Sequence, residues 1–423
     1  MKSRLVTAVI ALLLLYALVS WALSVDFALF GHYYLRNLSL LFAPLGLVFI
    51  FLQFVFVSRI KMIEKGFGLD RMFRWHRVFG RLGLILVTLH AALIIVYRLI
   101  QFGATFFDLF IWFGIIALLG FMVTAGIAST YKKIGLAYET WRNIHLANYV
   151  LFPVVMIHVF YHISPGTMLY YLWLLLAVLF GAVVIYRVIR IITLRRNPYR
   201  VTEVRQEADD IWSLFFAGPR IDYQPGQFMF VQLLRNGKLS SAHPFTISAS
   251  PTAEHLSITP KQLGDFTMTI KDTKVGDRAF IDAPYGVFSF LNYGRGEPVF
   301  FAGGIGITPF MSMLRYMYDQ KLDQKATLFW ANRSEKNLCF QDELEKMQAE
   351  MPGFRVILVM SDQPDWEGEK GHIKGSMILN HLESIEGKEF FVCGPPAMSR
   401  AVINELKQLN VSPLMIHSEL FEL

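Results

Sequence analysis

The sequence predicts an α-helical membrane bundle of six spans, followed by a small β-barrel and a doubly wound α/β domain. Three observations lead to this fold class. Long apolar runs are confined to residues 1–192, and the hydrophobic periodicity changes after the RRNP segment at residues 195–198. From about residue 297 onward, strand-like and helix-like runs alternate. We therefore expect domains at residues 1–196, 197–294 and 295–423.

Composition agrees with a membrane half and a soluble half. A hydrophobic content of 54% and a mean hydropathy of +0.42 are too high for an ordinary soluble protein. Many of the basic residues behind the net charge of +7 flank the apolar runs, so nucleic-acid binding is not expected. The two cysteines, Cys339 and Cys393, form neither a disulfide framework nor a zinc site and fit a reducing cytoplasm.

The six spans follow one another closely. Lys2 and Arg4 precede an apolar run that is long for a signal peptide, so we interpret it as an uncleaved first span. Lys and Arg are concentrated after spans two, four and six, which predicts cytoplasmic termini in a cell (inner or plasma) membrane. The remaining spans are predicted at residues 38–57, 75–97, 109–128, 141–163 and 168–192.

Four histidines lie on spans three and five. His76 and His90 are 14 residues apart, and His145 and His158 are 13 apart, which on a helix is a rise of roughly 21 and 20 Å. A single membrane histidine more often has a structural role in a helix interface. Two pairs with matching rise favour two stacked haems, each held by one imidazole from each helix.

The fifth span has a geometric difficulty. On an ideal helix, His158 would lie about 140° from the face of His145. Pro153 between them could kink or re-phase the helix. His162 is the rival ligand, although its rise of about 26 Å from His145 fits span three less well. Phe152 is a further candidate, as an aromatic side chain between the two haems.

In the soluble half, strand-like runs precede a glycine-rich turn. Residues 201–218, 227–234, 255–261 and 278–286 have the pattern of barrel strands. The segment AGGIGITPF at residues 302–310 follows a short apolar strand and opens a helix. Glycines there let backbone N–H groups approach a pyrophosphate, and the helix N-terminus favours its negative charge.

Five ordered motifs then resemble the ferredoxin-NADP reductase-like flavoproteins. They are HPFT at 243–246, GDFT at 264–267, DAPYG at 282–286, GGIGITP at 303–309 and CGP at 393–395. Together with the six spans and the paired histidines, the chain over residues 5–423 resembles the NADPH oxidase and ferric reductase family, particularly its compact prokaryotic NADPH oxidases.

The resemblance implies a FAD-binding barrel and an NADPH-binding α/β domain. His243 would lie on the FAD phosphate or ribose side, Phe245 along the flavin and Thr246 near its N5, with Arg333 on the NADPH 2′-phosphate. Phe421 would cover the flavin, although Glu422 and Leu423 follow it. The other implied contacts are Pro244, Lys261, Gly264 and Thr267 for FAD, and Gly303, Gly304, Gly306, Thr308, Pro309, Cys393, Gly394 and Pro395 for the nicotinamide nucleotide.

One family position differs. Ile94 stands where several oxidases have a histidine beyond the outer ligand, whereas His162 occupies the comparable place on span five. His162 and Arg36 are therefore the residues that we expect at the outer acceptor site.

The implied activity is electron transfer from cytoplasmic NADPH through FAD and two b-type haems to oxygen outside, producing superoxide. Ferric or cupric chelates are the alternative acceptors, and a separate extracytoplasmic protein is a third. A non-enzymatic alternative is a transporter whose soluble half senses a nucleotide. No obligatory protein partner is expected.

Overall fold

A computed structural model describes residues 2–25, 33–103, 108–294 and 296–419. Contacts between residues divide the chain into two compact units, Met1–Ile191 and Ile192–Leu423. Each unit is described by itself.

The first unit is entirely helical. Six of its segments are long and apolar enough to cross a membrane, which confirms the predicted six spans and a multi-pass membrane protein. The helices are α1 (Lys2–Ser24), α2 (Tyr33–Val57), α3 (Lys61–Phe67), α4 (Leu69–Phe102), α5 (Leu109–Thr130), α6 (Tyr138–His145), α7 (Asn148–His162) and α8 (Met168–Arg196).

The fifth span is two helices, α6 and α7. Leu146 and Ala147 separate them, and the tighter hydrogen bonds of a 3₁₀ turn replace the α-helical pattern: Ala147 N–H donates to the Ile144 carbonyl at 3.0 Å. Pro153, which could kink or re-phase a single helix, lies inside α7, and the interruption of the span precedes it.

Small residues bring the spans close together. A Cβ atom added to Gly83 on α4 would lie 3.1 Å from the carbonyl oxygen of Gly46 on α2. A Cβ on Gly120 of α5 would lie 2.6 Å from a methyl group of Leu151 on α7. Such glycines allow helix backbones to approach within a bilayer, where van der Waals contact drives association. They hold α4 against α2 and α5 against α7.

The second unit begins with an antiparallel sheet in the order β4-β3-β7-β1-β2-β6, and β5 also pairs with β3. The pairs between described residues do not join β4 to β6, so the predicted antiparallel domain is present but a closed barrel is not confirmed. Its elements are β1 (Tyr199–Ala208), β2 (Ile211–Ala217), β3 (Phe228–Arg235), β4 (Lys238–Leu239), β5 (His243–Thr246), β6 (Leu256–Ile258), the short helix α9 (Asp265–Met268) and β7 (Arg278–Tyr285).

A parallel sheet follows, in the order β11-β10-β9-β8-β12-β13. The order reverses between β8 and β12, as in a doubly wound fold, and this prediction is confirmed. Its elements are β8 (Glu297–Gly303), α10 (Thr308–Asp319), β9 (Ala326–Asn332), α11 (Gln341–Glu350), β10 (Phe354–Met360), β11 (Glu369–Lys370), α12 (Gly375–His381), β12 (Lys388–Cys393), α13 (Pro396–Gln408) and β13 (Ile416–Glu419).

A buried polar pair joins the last two strands of this sheet. His417 Nε2 on β13 lies 2.6 Å from Glu389 Oε2 on β12, and the two side chains are only 9% and 6% exposed. Tyr293 stacks on the His417 ring with centroids 3.5 Å apart. Among the described residues β13 pairs with β12 alone, so this cluster is a main attachment of that strand.

Replacing His417 by Ala leaves the Glu389 carboxylate buried without its partner. We expect the free energy of unfolding of this domain to fall by about 3–5 kcal/mol. The matched control is His381→Ala, whose 2.7 Å pair with Glu369 is a third exposed and is expected to contribute less than about 1 kcal/mol. Thermal unfolding of both purified full-length variants measures the difference. Equal shifts of the two midpoints would contradict the expectation.

Candidate functional site

His76 and His145 lie next to each other, and we call them the inner pair after their predicted position near the cytoplasmic side. His76 on α4 and His145 at the end of α6 have ring centroids 6.1 Å apart and planes at 75°. The Nδ1 atoms of both rings are buried and make no hydrogen bond of standard geometry among the described residues, although the backbone of Gln53 lies near His76 and that of Thr124 near His145. Two metal–nitrogen bonds of about 2 Å, with half a ring added at each end, give a separation of roughly 6 Å. The pair therefore fits one metal ion held between two imidazoles.

His90 and His158, which we call the outer pair after their predicted position, line a cavity of about 330 Å³. His90 and His158 reach it from α4 and α7, and most of its wall is aliphatic. Four helices contribute to this wall, with Arg36, Leu40, Ala43, Leu47 and Ile50 from α2, Val87, His90, Ala91, Ile94, Ile95 and Arg98 from α4, Ile111, Gly114, Ile115, Leu118 and Phe121 from α5, and Val155, His158, Val159 and His162 from α7.

Backbone carbonyls fix both outer imidazoles. His90 Nδ1 lies 3.0 Å from the Ser39 carbonyl oxygen and 2.9 Å from the Ser39 hydroxyl oxygen, which in turn donates to the His90 carbonyl at 3.0 Å. His158 Nδ1 lies 2.9 Å from the Phe110 carbonyl oxygen. A ring that donates its Nδ1–H to a carbonyl has the Nε2 lone pair free for a metal. A metal-ligating histidine usually donates its other ring N–H to a carbonyl or carboxylate in this way.

Gly114 makes room for His158. A Cβ atom added to this glycine would lie 3.0 Å from three atoms of the imidazole ring. Gly114 is one helical turn after Phe110, so the missing side chain exposes the carbonyl that the ring reaches. Sequence reasoning missed Ser39, Phe110 and Gly114, because a backbone carbonyl has no side-chain signature.

His162 lies beside the outer pair. Its ring centroid is 4.9 Å from that of His158, and its Nε2 is 3.8 Å from Asp108 Oδ1. Arg36 also lines the cavity, as the sequence suggested for an outer acceptor site, and Arg98 joins it from α4. The structure thus brings both predicted outer residues to the cavity that contains His90 and His158.

A second cavity of about 300 Å³ opens between α4 and α5. It is lined by Gly80, Arg81, Leu84, Met122, Ala125, Gly126 and Ser129. Gly80 is one turn after His76. Phe152, by contrast, packs against Phe54 of α2 and Phe180 of α8, with centroids at 5.2 and 4.6 Å. It lines neither of the two cavities.

In the second unit, two motifs meet at the carboxyl ends of β8 and β12. A Cβ added to Gly306 would lie 2.4 Å from the Cys393 carbonyl oxygen, and one added to Gly303 would lie 2.8 Å from Pro395. Gly304 has a φ of +51°, which favours glycine. Thr308 then begins α10, with Pro309 as its second residue and Gly394 also close to Gly303. This crevice is where doubly wound folds bind nucleotides.

The HPFT motif lies on β5. His243 stacks on Phe266 with centroids at 4.0 Å, and Phe245 lies 6.0 Å from the same ring, while Pro244 pairs with β3. The Thr246 hydroxyl is buried without a hydrogen-bond partner among the described residues. A buried hydroxyl needs a partner, so this one fits a polar atom of a bound flavin.

Three other predicted FAD residues make local contacts. Lys261 forms an ion pair with Asp210 at 3.2 Å. The Thr267 hydroxyl accepts the N–H of Gly264 at 2.9 Å and so closes the first turn of α9.

Cys393 and Glu419 lie side by side on β12 and β13. Burial raises the pKa of the Cys393 thiol well above its usual range, and the Glu419 carboxylate raises it further. The cysteine is therefore a neutral packing group beside the crevice and not a thiolate. Sequence reasoning missed Glu419, whose only signal is its position two residues before Phe421. Phe421 itself lies outside the described residues.

Arg333 follows the end of β9 and is exposed. Its neighbour Asn332 is 6% exposed, and both polar atoms of its amide are buried without partners among the described residues. Sequence reasoning missed Asn332, because burial at the strand end is a property of the assembled sheet.

Three protein families match consecutive parts of the chain. "Ferric reductase like transmembrane component" matches residues 42–156, "FAD-binding domain" residues 196–289, and "Oxidoreductase NAD-binding domain" residues 300–404. The chain is a ferric reductase-like transmembrane domain fused to a FAD- and nicotinamide-nucleotide-binding module. This fusion confirms the family resemblance predicted from the motifs.

Curated relatives match part of the chain. The reductase component of the glycine betaine monooxygenase of Chromohalobacter salexigens is 28% identical over 238 residues, which are 53% of this chain and 64% of that protein. A component of the Na⁺-translocating NADH-quinone reductase of Pseudoalteromonas atlantica is 34% identical over 173 residues, 38% of this chain and 41% of that protein. The chain thus spans less than two thirds of the length of these relatives.

Solved structures resemble parts of this chain at low sequence identity. The FAD/NAD-binding domain of nitric oxide dioxygenase from Vibrio cholerae has a TM-score of 0.48 at 23% identity, covering 53% of this chain and 98% of that one. Flavohemoglobin from Malassezia yamatoensis has a TM-score of 0.50 at 16% identity, covering 92% of this chain and 96% of that one.

Gly306→Ala forces a methyl group onto the Cys393 carbonyl. Such overpacking typically costs about 1–3 kcal/mol, so we expect NAD(P)H to bind about five- to 160-fold more weakly, with the FAD content unchanged. Reduction of the flavin absorbance at varied NAD(P)H concentrations measures the effect. The matched control is Gly181→Ala on α8, where an added Cβ meets nothing within 4 Å. An unchanged concentration dependence in Gly306→Ala would contradict the expected crevice.

Proposed function

We propose that the protein transfers electrons from cytoplasmic NADPH, through FAD and two bis-histidine haems, to oxygen on the outer side of the cell membrane. The product is superoxide: one NADPH and two oxygen molecules give NADP⁺, one proton and two superoxide ions. The observation that carries the proposal is the pair of histidine sites on α4 and α6–α7. It is supported by the ferric reductase-like match over residues 42–156.

FAD, when bound, would accept a hydride and release its two electrons one at a time. The haems would carry these single electrons across the membrane. His76 and His145 would hold the inner haem, and His90 and His158 the outer one. Two protein ligands on each metal leave no open coordination position, so oxygen would be reduced beside the outer site.

The residues of the nucleotide crevice bind and orient the electron donor. Backbone N–H groups of residues 303–308 would hold the pyrophosphate at the start of α10, and residues 393–395 would flank the nicotinamide. Exposed Arg333 would hold the 2′-phosphate and favour NADPH over NADH. Thr246 would orient the flavin through its buried hydroxyl, and Phe421 would cover the flavin until the nicotinamide arrives.

At the outer site, Arg36 and Arg98 place positive charge beside a largely aliphatic cavity. This arrangement stabilises carboxylates of a bound porphyrin and attracts anions. The ferric reductase-like match favours a second candidate function, in which ferric or cupric chelates accept the electrons at the same site.

Purified protein supplied with NADPH distinguishes the two acceptors. An oxidase reduces cytochrome c in a reaction that superoxide dismutase suppresses, and it stops without oxygen. A chelate reductase keeps its rate without oxygen when ferric citrate is present. A reduced-minus-oxidised spectrum without b-type haem bands would contradict both functions and favour the transporter alternative.

His158→Leu and His162→Leu separate the rival outer ligands. Because His158 Nδ1 bonds the Phe110 carbonyl whereas His162 is near Asp108, we expect His158→Leu to lose one of two haems and His162→Leu to keep both. Haem per FAD in the purified variants is the measurement. Reduction of FAD by NADPH, unchanged in both, is the control for folding. Full haem in His158→Leu with loss in His162→Leu would reverse the assignment.

A further inference from the structure

The two histidine pairs differ in what orients their rings. Both outer imidazoles have an Nδ1 held by a backbone carbonyl, at 3.0 Å for His90 and 2.9 Å for His158. The backbone of Gln53 lies near the His76 ring and that of Thr124 near the His145 ring, but the Nδ1 atoms of these two rings make no hydrogen bond of standard geometry among the described residues. His145 also lies at the last position of α6, directly before the interruption at Leu146. Its ring therefore needs another constraint.

An aromatic stack provides that constraint. Trp141, one helical turn before His145, has its ring centroid 5.8 Å from the imidazole, with the planes 28° apart. Tyr131, which follows the end of α5, also stacks on the indole, at 4.8 Å and 15°. Three nearly parallel rings thus connect the end of α5 to His145.

The indole acts through its faces. Trp141 Nε1 is buried without a hydrogen-bond partner within the described ranges, so no N–H bond fixes the side chain. Trp173 on α8 has the same property, yet no ring contact with a histidine is found for it in the described part of the chain. What distinguishes Trp141 is therefore its stack and not its buried N–H.

We propose that Trp141, braced by Tyr131, is a positioning residue of the inner site that sets the plane of the His145 imidazole relative to His76. This inference rests on the proposed function, in which the pair holds a haem. The angle between the planes of two imidazoles that bind one metal influences the electronic state of that metal. A ring that turns freely would therefore broaden the spectroscopic signal of the metal.

Trp141→Leu removes the stack, Tyr131→Leu removes only its brace, and Trp141→Phe retains an aromatic face. Trp173→Leu is the matched control, because it also removes a buried tryptophan from the membrane half. Each variant is prepared as the full chain with haem and FAD. The readouts are the two low-spin ferric signals in electron paramagnetic resonance and the rate of haem loss to apomyoglobin. His158→Leu, which keeps the inner pair, assigns the inner signal.

We expect Trp141→Leu and Tyr131→Leu to shift only the low-spin ferric signal assigned to the inner haem. In Trp141→Phe this signal should lie close to its wild-type position. An aromatic pair contributes about 0.5–1.5 kcal/mol, so one haem should leave about two- to twelvefold faster in Trp141→Leu. If that variant fails to insert, Tyr131→Leu decides. Unmoved signals in both leucine variants, or an equal movement in Trp173→Leu, would overturn the inference. A wild-type protein without haem would instead overturn the proposed function.

Discussion

Polar imidazoles among apolar helices need partners, and this constraint organises the membrane unit. An unsatisfied polar group is costly in hydrocarbon, so each ring must bond to the protein or to a ligand. The outer rings obtain one bond each from carbonyls of Ser39 and Phe110. Such carbonyls are already used within their helices, and they are reachable only where the residue one turn later is small. Ala43 and Gly114 occupy those positions, and both line the outer cavity.

The interruption of the fifth span follows from the same constraint. A continuous helix would turn His158 away from the face of His145, because 13 residues do not complete a whole number of turns. The 3₁₀ turn at Leu146–Ala147 changes the phase between the two residues, and α6 and α7 can each direct a histidine inward. Glycine and proline are absent from this turn. The residue types most typical of helix ends therefore do not mark this break.

This contrast explains how far the sequence could predict the molecule. The apolar runs, the glycine turn at 303–306 and the histidine spacing are local patterns, and each predicted its element. Other features depend on contacts between distant segments. They are whether the antiparallel sheet closes into a barrel, the break before Pro153 and the packing of Phe152. The same is true of the unpredicted site residues: the carbonyl beside His158, and Glu419 and Asn332 in the second unit, have roles that only the assembled fold creates.

Both units build their sites from backbone that side chains leave exposed. In the parallel sheet, the order reverses between β8 and β12, so the helices that follow them lie on opposite faces and leave a crevice at the strand ends. Gly303 and Gly306 allow the turn after β8 to touch the Cys393 segment, which keeps this crevice narrow. In the membrane unit, Gly114 performs the equivalent task for His158. A missing side chain in each case gives a ligand or a ring access to the main chain, and this access makes glycine placement as informative about the sites as the polar residues themselves.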